Sequence, residues 1–357
     1  MAVEHALLIL VALPFAVAFA VSMALGPGVI GMLKRRGAGQ VISEDGPDSH
    51  RSKAGTPTMG GLIILAGVLA GALAAIIAVH SPRLIFSSEG LARRHDLAAV
   101  LLLVLAFALV GMIDDYLTIR PYRGARGIAS RPKAAIQALL AVGFIIWLAE
   151  QRPDGFLNIL SVGRQTLLAG FAYWVFAVIY IVGMANFVNI TDGLDGLVSG
   201  LVAAAAAAFT ICLMLLPGGG RGDCDLTLYA LLPAMAGACL AFLWFNANPA
   251  KVFMGDTGAM AIGAALPAIA ILTHREVLMI VISLIFVLDG LSSAVQWAVF
   301  KYTRITTGTG RRVFRKSPIH HHFELSGWPE QTVVVRFWIL GGISALIGFA
   351  GALWRIW

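Results

Sequence analysis

The sequence is poor in charged residues and in cysteine, and both shortages exclude large classes of protein. Only 13% of its 357 residues are Asp, Glu, Lys or Arg, whereas 59% are hydrophobic and the mean hydropathy is +0.85. A soluble protein of this length needs far more polar surface. The three cysteines, two of them inside apolar runs, are too few for a disulfide framework or a thiolate metal site.

Long apolar runs are present instead, and they predict an all-α polytopic membrane protein. A run of about 20 apolar residues is long enough for a helix to cross a bilayer, and the sequence contains about ten of them. They lie near residues 6–26, 59–79, 97–115, 134–149, 167–186, 197–216, 227–245, 257–273, 277–300 and 333–354. Since no low-complexity linker interrupts the series, we expect one integral membrane domain over residues 1–357.

Lys and Arg are concentrated in every second loop, mainly 27–58, 116–133 and 301–332. The positive-inside rule places these loops in the cytoplasm and, with ten spans, both termini in the periplasm. A nucleic-acid-binding protein would instead collect its basic residues on one face. Membrane topology therefore explains the net charge of +7, and nucleic acid is not an expected partner.

Five aspartates at the borders of apolar runs are the strongest functional signal. Asp114 and Asp115 end the third run, Asp192 and Asp195 follow the fifth, and Asp256 precedes the eighth. Odd-numbered spans all end in the cytoplasm in this topology, so we expect the five side chains at one face. Carboxylates that lie close together repel unless a cation compensates, and oxygen ligands suit a hard ion such as Mg²⁺. Helix capping is an alternative for any one of them alone.

The segment 49–61 carries groups suited to phosphate binding. It combines Lys53 and the hydroxyl of Thr58 with the start of a helix, which attracts anions through its free N–H groups. A basic anchor beside the membrane is the other interpretation of the same residues. Lys133, which opens the fourth run, and Asn246, which follows the seventh, are weaker signals of the same kind.

Three consecutive histidines, His320, His321 and His322, lie in the longest polar loop. Successive residues of a helix point in different directions, so the three cannot form one zinc site from a single face. We expect them to make polar contacts with a phosphate or a base. Asp289 lies deep in the ninth run, where it either lines the cleft or pairs with a neighbour.

Five blocks of sequence together resemble a known family. They are residues 47–61 (PDSHRSKAGTPTMGG), 114–117 (DDYL), 186–197 (NFVNITDGLDGL), 248–258 (NPAKVFMGDTG) and 318–330 (PIHHHFELSGWPE). In their order along nearly the whole chain they are similar to the phospho-N-acetylmuramoyl-pentapeptide transferase family. The resemblance implies ten membrane helices, a cytoplasmic active site, a multi-pass location in the bacterial cytoplasmic membrane, and a homodimer.

The reaction implied by the resemblance belongs to peptidoglycan synthesis. Phospho-MurNAc-pentapeptide is transferred from UDP-MurNAc-pentapeptide to undecaprenyl phosphate in the lipid bilayer, giving lipid I and UMP, with Mg²⁺ as cofactor. Catalysis would involve Asp114, Asp115 and Asp256, with Asp256 holding Mg²⁺ and the Asp pair near the lipid phosphate. The residues expected to bind substrate are Lys53, Thr58, Lys133, Asn189, Asp192, Asp195, Asn246, Phe253, His320, His321 and His322.

Three positions depart from the family pattern. Thr118 stands in place of a usual Lys, Ala259 in place of a usual Ser, and Asp289 in place of a usual Glu. The first departure removes a candidate phosphate contact, and an Arg nearby is not equivalent to Lys in geometry.

Two other functions fit part of the pattern. A related polyprenyl-phosphate N-acetylhexosamine-1-phosphate transferase shares the aspartates, but the blocks around Thr58 and His320 favour the first assignment. An ion-coupled transporter also buries carboxylates within its spans. Transporters usually place such groups near the bilayer midplane at helix breaks, whereas only Asp289 is deep in this sequence.

Overall fold

The computed structural model describes residues 8–39, 53, 55–79, 95–120, 127–151, 159–162, 165–216, 226–354 and 356. These described residues are mostly helical. In chain order the helices are α1 (Leu13–Arg35), α2 (Gly61–Val79), α3 (His95–Ile119), α4 (Ser130–Gln151), α5 (Phe171–Thr191), α6 (Leu197–Leu215), α7 (Leu231–Asn246), α8 (Gly255–Thr273), α9 (Glu276–Ile282), α10 (Leu284–Thr307), α11 (Ile319–Glu324) and α12 (Glu330–Leu353). A π-helical turn, Leu8–Ala12, precedes α1, and a 3₁₀ turn, Leu226–Ala230, precedes α7.

Ten helices in the described part of the chain are long and apolar enough to cross a membrane. They correspond one to one with the ten runs of the sequence, so the prediction of a mostly helical protein with ten membrane spans is confirmed, whereas two short strands within residues 159–169 depart from the all-α expectation. The short helices α9 and α11 are not among them. Which face of the bundle lies in the cytoplasm stays a prediction.

Helix α8 forms the centre of the bundle, because other helices cover it almost completely. Every residue from Thr257 to Thr273 is buried. Glycines allow this close approach: a Cβ added at Gly61 of α2 would collide with Gly258, and one at Gly111 of α3 would collide with the carbonyl of Asp256. The backbone contact at Gly111 places the following turn of α3, which carries Asp114 and Asp115, beside the first turn of α8.

The ninth predicted run does not form one helix over 277–300. It is divided into α9 and α10 at Ser283, whose hydroxyl donates a hydrogen bond to the carbonyl of Met279 at 2.5 Å. Such a bond to the preceding turn competes with the helical ladder and bends helices. The second part then continues to Thr307, beyond the predicted end.

Two other boundaries differ from the sequence prediction. Helix α1 continues through Pro27 to Arg35, although the run was expected to end near residue 26. Proline is tolerated inside membrane helices because neighbouring groups satisfy the freed carbonyl. The fifth span begins at Phe171 and not near residue 167, because the preceding residues form an antiparallel hairpin of β1 (Ile159–Val162) and β2 (Gln165–Ala169).

Candidate functional site

The structure brings the five aspartates to one end of the bundle. Asp114 and Asp115 lie in the last turns of α3, Asp192 and Asp195 in the turn between α5 and α6, and Asp256 in the first turn of α8. The close backbone contact between Gly111 and the start of α8 brings the aspartates of α3 beside Asp256. All five therefore occupy a single site, as the alternation of spans predicted.

Asp115 caps α8 from a neighbouring helix. Its carboxylate accepts hydrogen bonds from the backbone N–H of Asp256 (3.1 Å) and from the N–H and hydroxyl of Thr257 (3.0 and 2.6 Å). The first N–H groups of a helix have no partner inside the helix, so this buried carboxylate satisfies them. Gly255 has a φ of +72°, and a Cβ there would lie 2.5 Å from the Thr58 hydroxyl and 2.6 Å from Asp115 Oδ2. Glycine at this position therefore lets Thr58 and Asp115 approach the start of α8 closely.

Asp256 and Asp114 share one lysine. Lys133 Nζ lies 3.0 Å from Asp256 Oδ2 and 3.5 Å from Asp114 Oδ2. The other oxygen of Asp256 accepts a hydrogen bond from Asn189 Nδ2 (2.7 Å), and the other oxygen of Asp114 accepts one from the N–H of Ile128 (2.6 Å). The positive charge of the ammonium offsets the repulsion between the two carboxylates. We call Lys133, Asp114 and Asp256 the Lys133 cluster.

Asp192 borders the Lys133 cluster from the end of α5. Burial raises the pKa of its carboxyl to about 7, and the nearby negative charges of Asp256 and Asp115 act in the same direction. The N–H of Gly255 opposes this rise. A cation or a proton at this point would therefore relieve the accumulated negative charge.

The carboxylate oxygens of the site are suitable ligands for a hard cation. No group of three or more His, Cys, Asp or Glu side chains in the described parts of the chain has the arrangement of a complete protein metal site. Mg²⁺, however, commonly takes one or two carboxylates and fills its other positions with water and substrate phosphates. Asp256 and Asp114, with Asp192 beside them, offer only oxygen ligands of this kind. The residues present thus fit Mg²⁺.

A second lysine holds Asp195 to the start of the last helix. Lys53 Nζ donates to Asp195 Oδ1 (2.7 Å) and to Glu330 Oε1 (2.5 Å), and Glu330 Oε1 also accepts from the N–H of Asp195 (2.9 Å). Asp195 Oδ2 accepts from Asn248 Nδ2 (3.0 Å) and from the N–H of Ala250 (3.1 Å). We call Lys53, Asp195 and Glu330 the Lys53 cluster, which ties four separate polar segments together.

Glu330 is a residue that sequence reasoning left without a role. It lies in the first turn of α12, after Pro329. An acidic residue at such a position is usually explained by the helix dipole, which favours negative charge at a helix start. In the sequence, only its position at the end of the block 318–330 indicates a role for Glu330. Its contacts with Lys53 and Asp195 join segments far apart in the chain, so the spacing of residues does not predict them.

The three histidines lie on α11 and have three different partners. His320 is fully buried, with Nδ1 2.7 Å from Asp289 Oδ2. His321 Nδ1 lies 2.6 Å from an oxygen of Glu324, and His322 Nδ1 accepts from the N–H of Arg315 (3.1 Å). The rings of His320 and His321 nevertheless contact each other, with 4.2 Å between their centroids. The contact of His320 decides between the two interpretations of Asp289, which pairs with a neighbour.

His320 and His321 are brought to the aspartate site by Gly193. A Cβ at Gly193 would lie 2.5 Å from His320 Nε2 and 3.3 Å from His321 Nε2. The rings therefore pack directly against the turn that carries Asp192 and Asp195. Burial lowers the pKa of His321, and the hydrogen bond with Glu324 opposes this shift.

Three predicted positions have mainly structural contacts. Buried Asn246 accepts hydrogen bonds from the N–H of Gly196 and the hydroxyl of Ser199, both at 3.1 Å, and donates to the carbonyl of Val252 at 3.0 Å. Phe253 forms backbone hydrogen bonds with Pro57 and Gly60 at 2.8 Å, which attaches the segment of Thr58 to the start of α8. Ala259, one of the departures from the family pattern, is buried within α8.

Some predicted phosphate-binding residues lie outside the described residues, namely the part of segment 49–61 that contains His50, Arg51 and Ser52. Thr118 is described: a Cβ at Gly127 would lie 3.0 Å from its hydroxyl and 3.2 Å from Asp114 Oδ1. Thr118 thus lies at the edge of the Lys133 cluster.

Comparison with known proteins gives consistent matches over the whole chain. A model described as glycosyl transferase family 4 matches residues 97–274, and a model described as phospho-N-acetylmuramoyl-pentapeptide-transferase signature 1 matches residues 53–65. A phospho-N-acetylmuramoyl-pentapeptide-transferase of Geobacillus kaustophilus is 39% identical over 346 residues, which are 96% of this chain and 98% of that protein. Proteins with the same name from Frankia casuarinae and Shouchella clausii are each 40% identical, over 93% and 94% of this chain and 94% and 95% of their own.

Proposed function

Because the chain belongs to the phospho-N-acetylmuramoyl-pentapeptide transferase family, we propose that it transfers phospho-MurNAc-pentapeptide from UDP-MurNAc-pentapeptide to undecaprenyl phosphate. The products are lipid I and UMP. The observation that carries the proposal is the Lys133 cluster, in which two carboxylates from different helices converge on one lysine at the end of the bundle. Phosphoryl transfer depends on groups that position and neutralise phosphates, and this site provides both.

The proposal includes a cellular location and an assembly. The protein is placed in the bacterial cytoplasmic membrane as a homodimer, with the site facing the cytoplasm, where UDP-linked substrates are found. The concentration of Lys and Arg in the loops on the site's side supports this orientation.

Asp256, together with Asp114 or Asp192, would hold Mg²⁺, which would neutralise charge on the diphosphate of the nucleotide sugar. The chain's own residues have separate tasks. Lys133 neutralises negative charge between Asp114 and Asp256, and it is placed to contact a phosphate that enters between them. Asn189 fixes the orientation of the Asp256 carboxylate through its amide.

The nucleophile is an oxygen of undecaprenyl phosphate. It attacks the phosphorus that bears the sugar, the bond from that phosphorus to the UMP oxygen breaks, and UMP leaves with the electron pair. A phosphate monoester has a second pKa of about 6, so it needs little help from a general base at neutral pH. Asp114, held by Lys133 and the N–H of Ile128, orients the acceptor phosphate or takes its remaining proton.

A covalent phospho-aspartate is the alternative route. Asp115 is a poor candidate for the nucleophile, because both of its oxygens accept hydrogen bonds from the start of α8. Asp114 has fewer such bonds. Exchange of labelled UMP into UDP-MurNAc-pentapeptide without lipid acceptor separates the routes, since robust exchange would contradict direct attack.

The proposed function is tested by lipid I formation with the purified protein. We expect formation from UDP-MurNAc-pentapeptide and undecaprenyl phosphate, and its loss in Asp256→Ala with unchanged thermal unfolding. Turnover of UDP-GlcNAc in place of the MurNAc substrate would contradict the assignment and favour the related hexosamine-1-phosphate transferases. Neither result is expected of an ion-coupled transporter.

A further inference from the structure

The basic segment, residues 295–316, lies next to the site but contributes none of its carboxylates or substrate-facing histidines. It comprises the end of α10 and the loop that follows. It contains six Lys and Arg residues and no Asp or Glu. Lys301, Arg304, Arg311 and Arg312 are exposed. So much unbalanced positive charge on one short surface favours an anionic partner.

The helical part of the basic segment is amphipathic. Val295, Ala298, Tyr302 and Ile305 follow one another at intervals of three or four residues, so they lie along one face of α10. Tyr302 is 68% exposed and Ile305 is 74% exposed. Arg304 lies on a different side of the helix. Apolar and basic surfaces in this arrangement are typical of helices that lie at the boundary between headgroups and acyl chains.

An exposed tryptophan on the side of α10 that carries Arg304 supports the same position, because Trp297 lies about two helical turns before Arg304. Trp297 is 66% exposed, and Lys301 Nζ lies 4.9 Å from the centre of its ring. Tryptophan is enriched at the membrane–water boundary because its ring is apolar and its N–H is polar. A lysine above the ring reaches toward phosphates while its stem remains in the apolar layer.

The loop of the basic segment is held against the helix. Gln296 Oε1 accepts hydrogen bonds from the N–H groups of Val313 (2.8 Å) and Phe314 (3.0 Å). The hydroxyl of Thr303 accepts one from the N–H of Arg311 (2.8 Å). Arg311 and its neighbour Arg312 therefore have a fixed backbone beside Arg304, so little conformational entropy is lost when they bind an anion.

We propose that the basic segment, which begins within the membrane helix α10, extends from the acyl layer into the headgroup layer on the site's side of the membrane and binds anionic phospholipids. Its apolar face matches acyl chains and its guanidinium groups match phosphates, so one phospholipid can contact both surfaces. The inference does not depend on which sugar the protein transfers. Arg315 connects the basic segment to the site. Its backbone N–H donates a hydrogen bond to His322 (3.1 Å), and its side chain donates one to the carbonyl of Leu325 (2.6 Å).

The test compares two triple variants in phosphatidylcholine nanodiscs that contain spin-labelled phosphatidylglycerol or spin-labelled phosphatidylcholine. Electron paramagnetic resonance gives the immobilised fraction of each label. We expect the wild-type protein to immobilise more phosphatidylglycerol than phosphatidylcholine. In Arg304→Gln/Arg311→Gln/Arg312→Gln this excess should fall by about half or more, because three attractive charges are lost.

The control removes the same number of exposed charges elsewhere, in Lys34→Gln/Arg35→Gln/Arg36→Gln at the end of α1. It should retain the excess, as should a variant with Lys at the three Arg positions. An unchanged excess in the first triple variant would overturn the proposal, and so would equal losses in both Gln variants. Weaker binding of the UDP-linked donor with unchanged lipid preference would assign the basic segment to the donor instead.

The lipid measurement contains neither donor nor acceptor, so it is independent of the transferase assay. Thermal unfolding of each variant shows whether the fold is retained. Loss of the phosphatidylglycerol excess in wild-type protein at high salt is also expected, because exposed charges are screened.

Discussion

The site contains two lysines that each lie between two carboxylates, but the carboxylates of the two clusters differ in their other contacts. In the Lys53 cluster, Asp195 is saturated with hydrogen bonds from side chains and backbone, and its side chain is only 2% exposed. In the Lys133 cluster, the side chains of Lys133 and Asp256 are 18% and 22% exposed. A partly exposed ion pair can exchange its partner for a substrate, whereas a carboxylate saturated with hydrogen bonds fixes the segments that it joins.

We therefore expect the Lys133 cluster to take part in catalysis and the Lys53 cluster to stabilise the fold. The Lys53 cluster joins the segment before α2, the turn after α5, the segment before α8 and the start of α12. One of these segments, the one before α8, leads directly to Asp256 of the Lys133 cluster. Disrupting the Lys53 cluster should lower stability, and disrupting the Lys133 cluster should lower catalytic activity.

The largest effect is expected for Asp256→Asn. The change keeps the shape of the side chain but removes the charge that binds Lys133 and would hold the cation. We expect kcat/KM to fall by about 10³-fold, as for loss of a major electrostatic contact in an active site. Lipid I formation measures the activity, and thermal unfolding within about 2 °C of wild type would show that the fold is intact. Substantial remaining activity would show that the Lys133 cluster is not the reactive centre.

The next effect is expected for Lys53→Met. Two largely buried carboxylates, Asp195 and Glu330, would lose their shared cation, at a cost of about 3 kcal/mol in the free energy of unfolding. Denaturant unfolding in detergent micelles measures it. A variant with Glu330→Gln in addition should recover part of the loss, because one unpaired charge disappears. If activity fell strongly and stability did not, Lys53 would contact the substrate directly, as the family resemblance implies.

Lys133→Met, in contrast, is expected to lower activity more than stability. Asp256 is more exposed than Asp195, so water can solvate it better and the loss of stability should be smaller than in Lys53→Met. Activity should fall by about 10²-fold, because a charge next to the reacting phosphates is lost. Steady-state kinetics with varied donor concentration measure the change. A stability loss as large as that of Lys53→Met would remove the proposed distinction between the two clusters.

The smallest effect is expected for Asn248→Ala. Asn248 donates to Asp195 and accepts from Gln331 Nε2 at 2.8 Å, so the change removes one support of the Lys53 cluster. We expect a loss of about 1 kcal/mol in the free energy of unfolding. Activity should remain near the wild-type level. A large loss of activity without loss of stability would instead place Asn248 among the residues that touch substrate.

Much of the architecture could be predicted from the sequence because membrane spans are defined by local composition. The ten helices and the convergence of the aspartates followed from run length and from the alternation of spans. The break at Ser283 could not be predicted, because it depends on one side-chain hydrogen bond within a continuous apolar run. The hairpin before α5 was missed for a similar reason, since its strands are short and adjacent to an apolar run.

The site was less predictable in its details, because contacts between distant segments decide which atoms meet. From the sequence alone, an aspartate that caps a helix is expected to cap only the helix next to it in the chain. In the structure Asp115 caps α8, a helix more than a hundred residues away in the sequence. The distinction between Asp114, with its access to Lys133, and its neighbour Asp115, which is committed to α8, appears only when the fold is known.

The enclosure of α8 also bears on the biogenesis of the protein. This helix is rich in Gly and Ala and carries Asp256 and Thr257 at its start, so by itself it would be a weak candidate for insertion into lipid. Its neighbours α2, α3 and α5 all precede it in the chain, and synthesis delivers them first. The groups that contact Asp256, on α3, α4 and α5, are thus all synthesised before α8 itself.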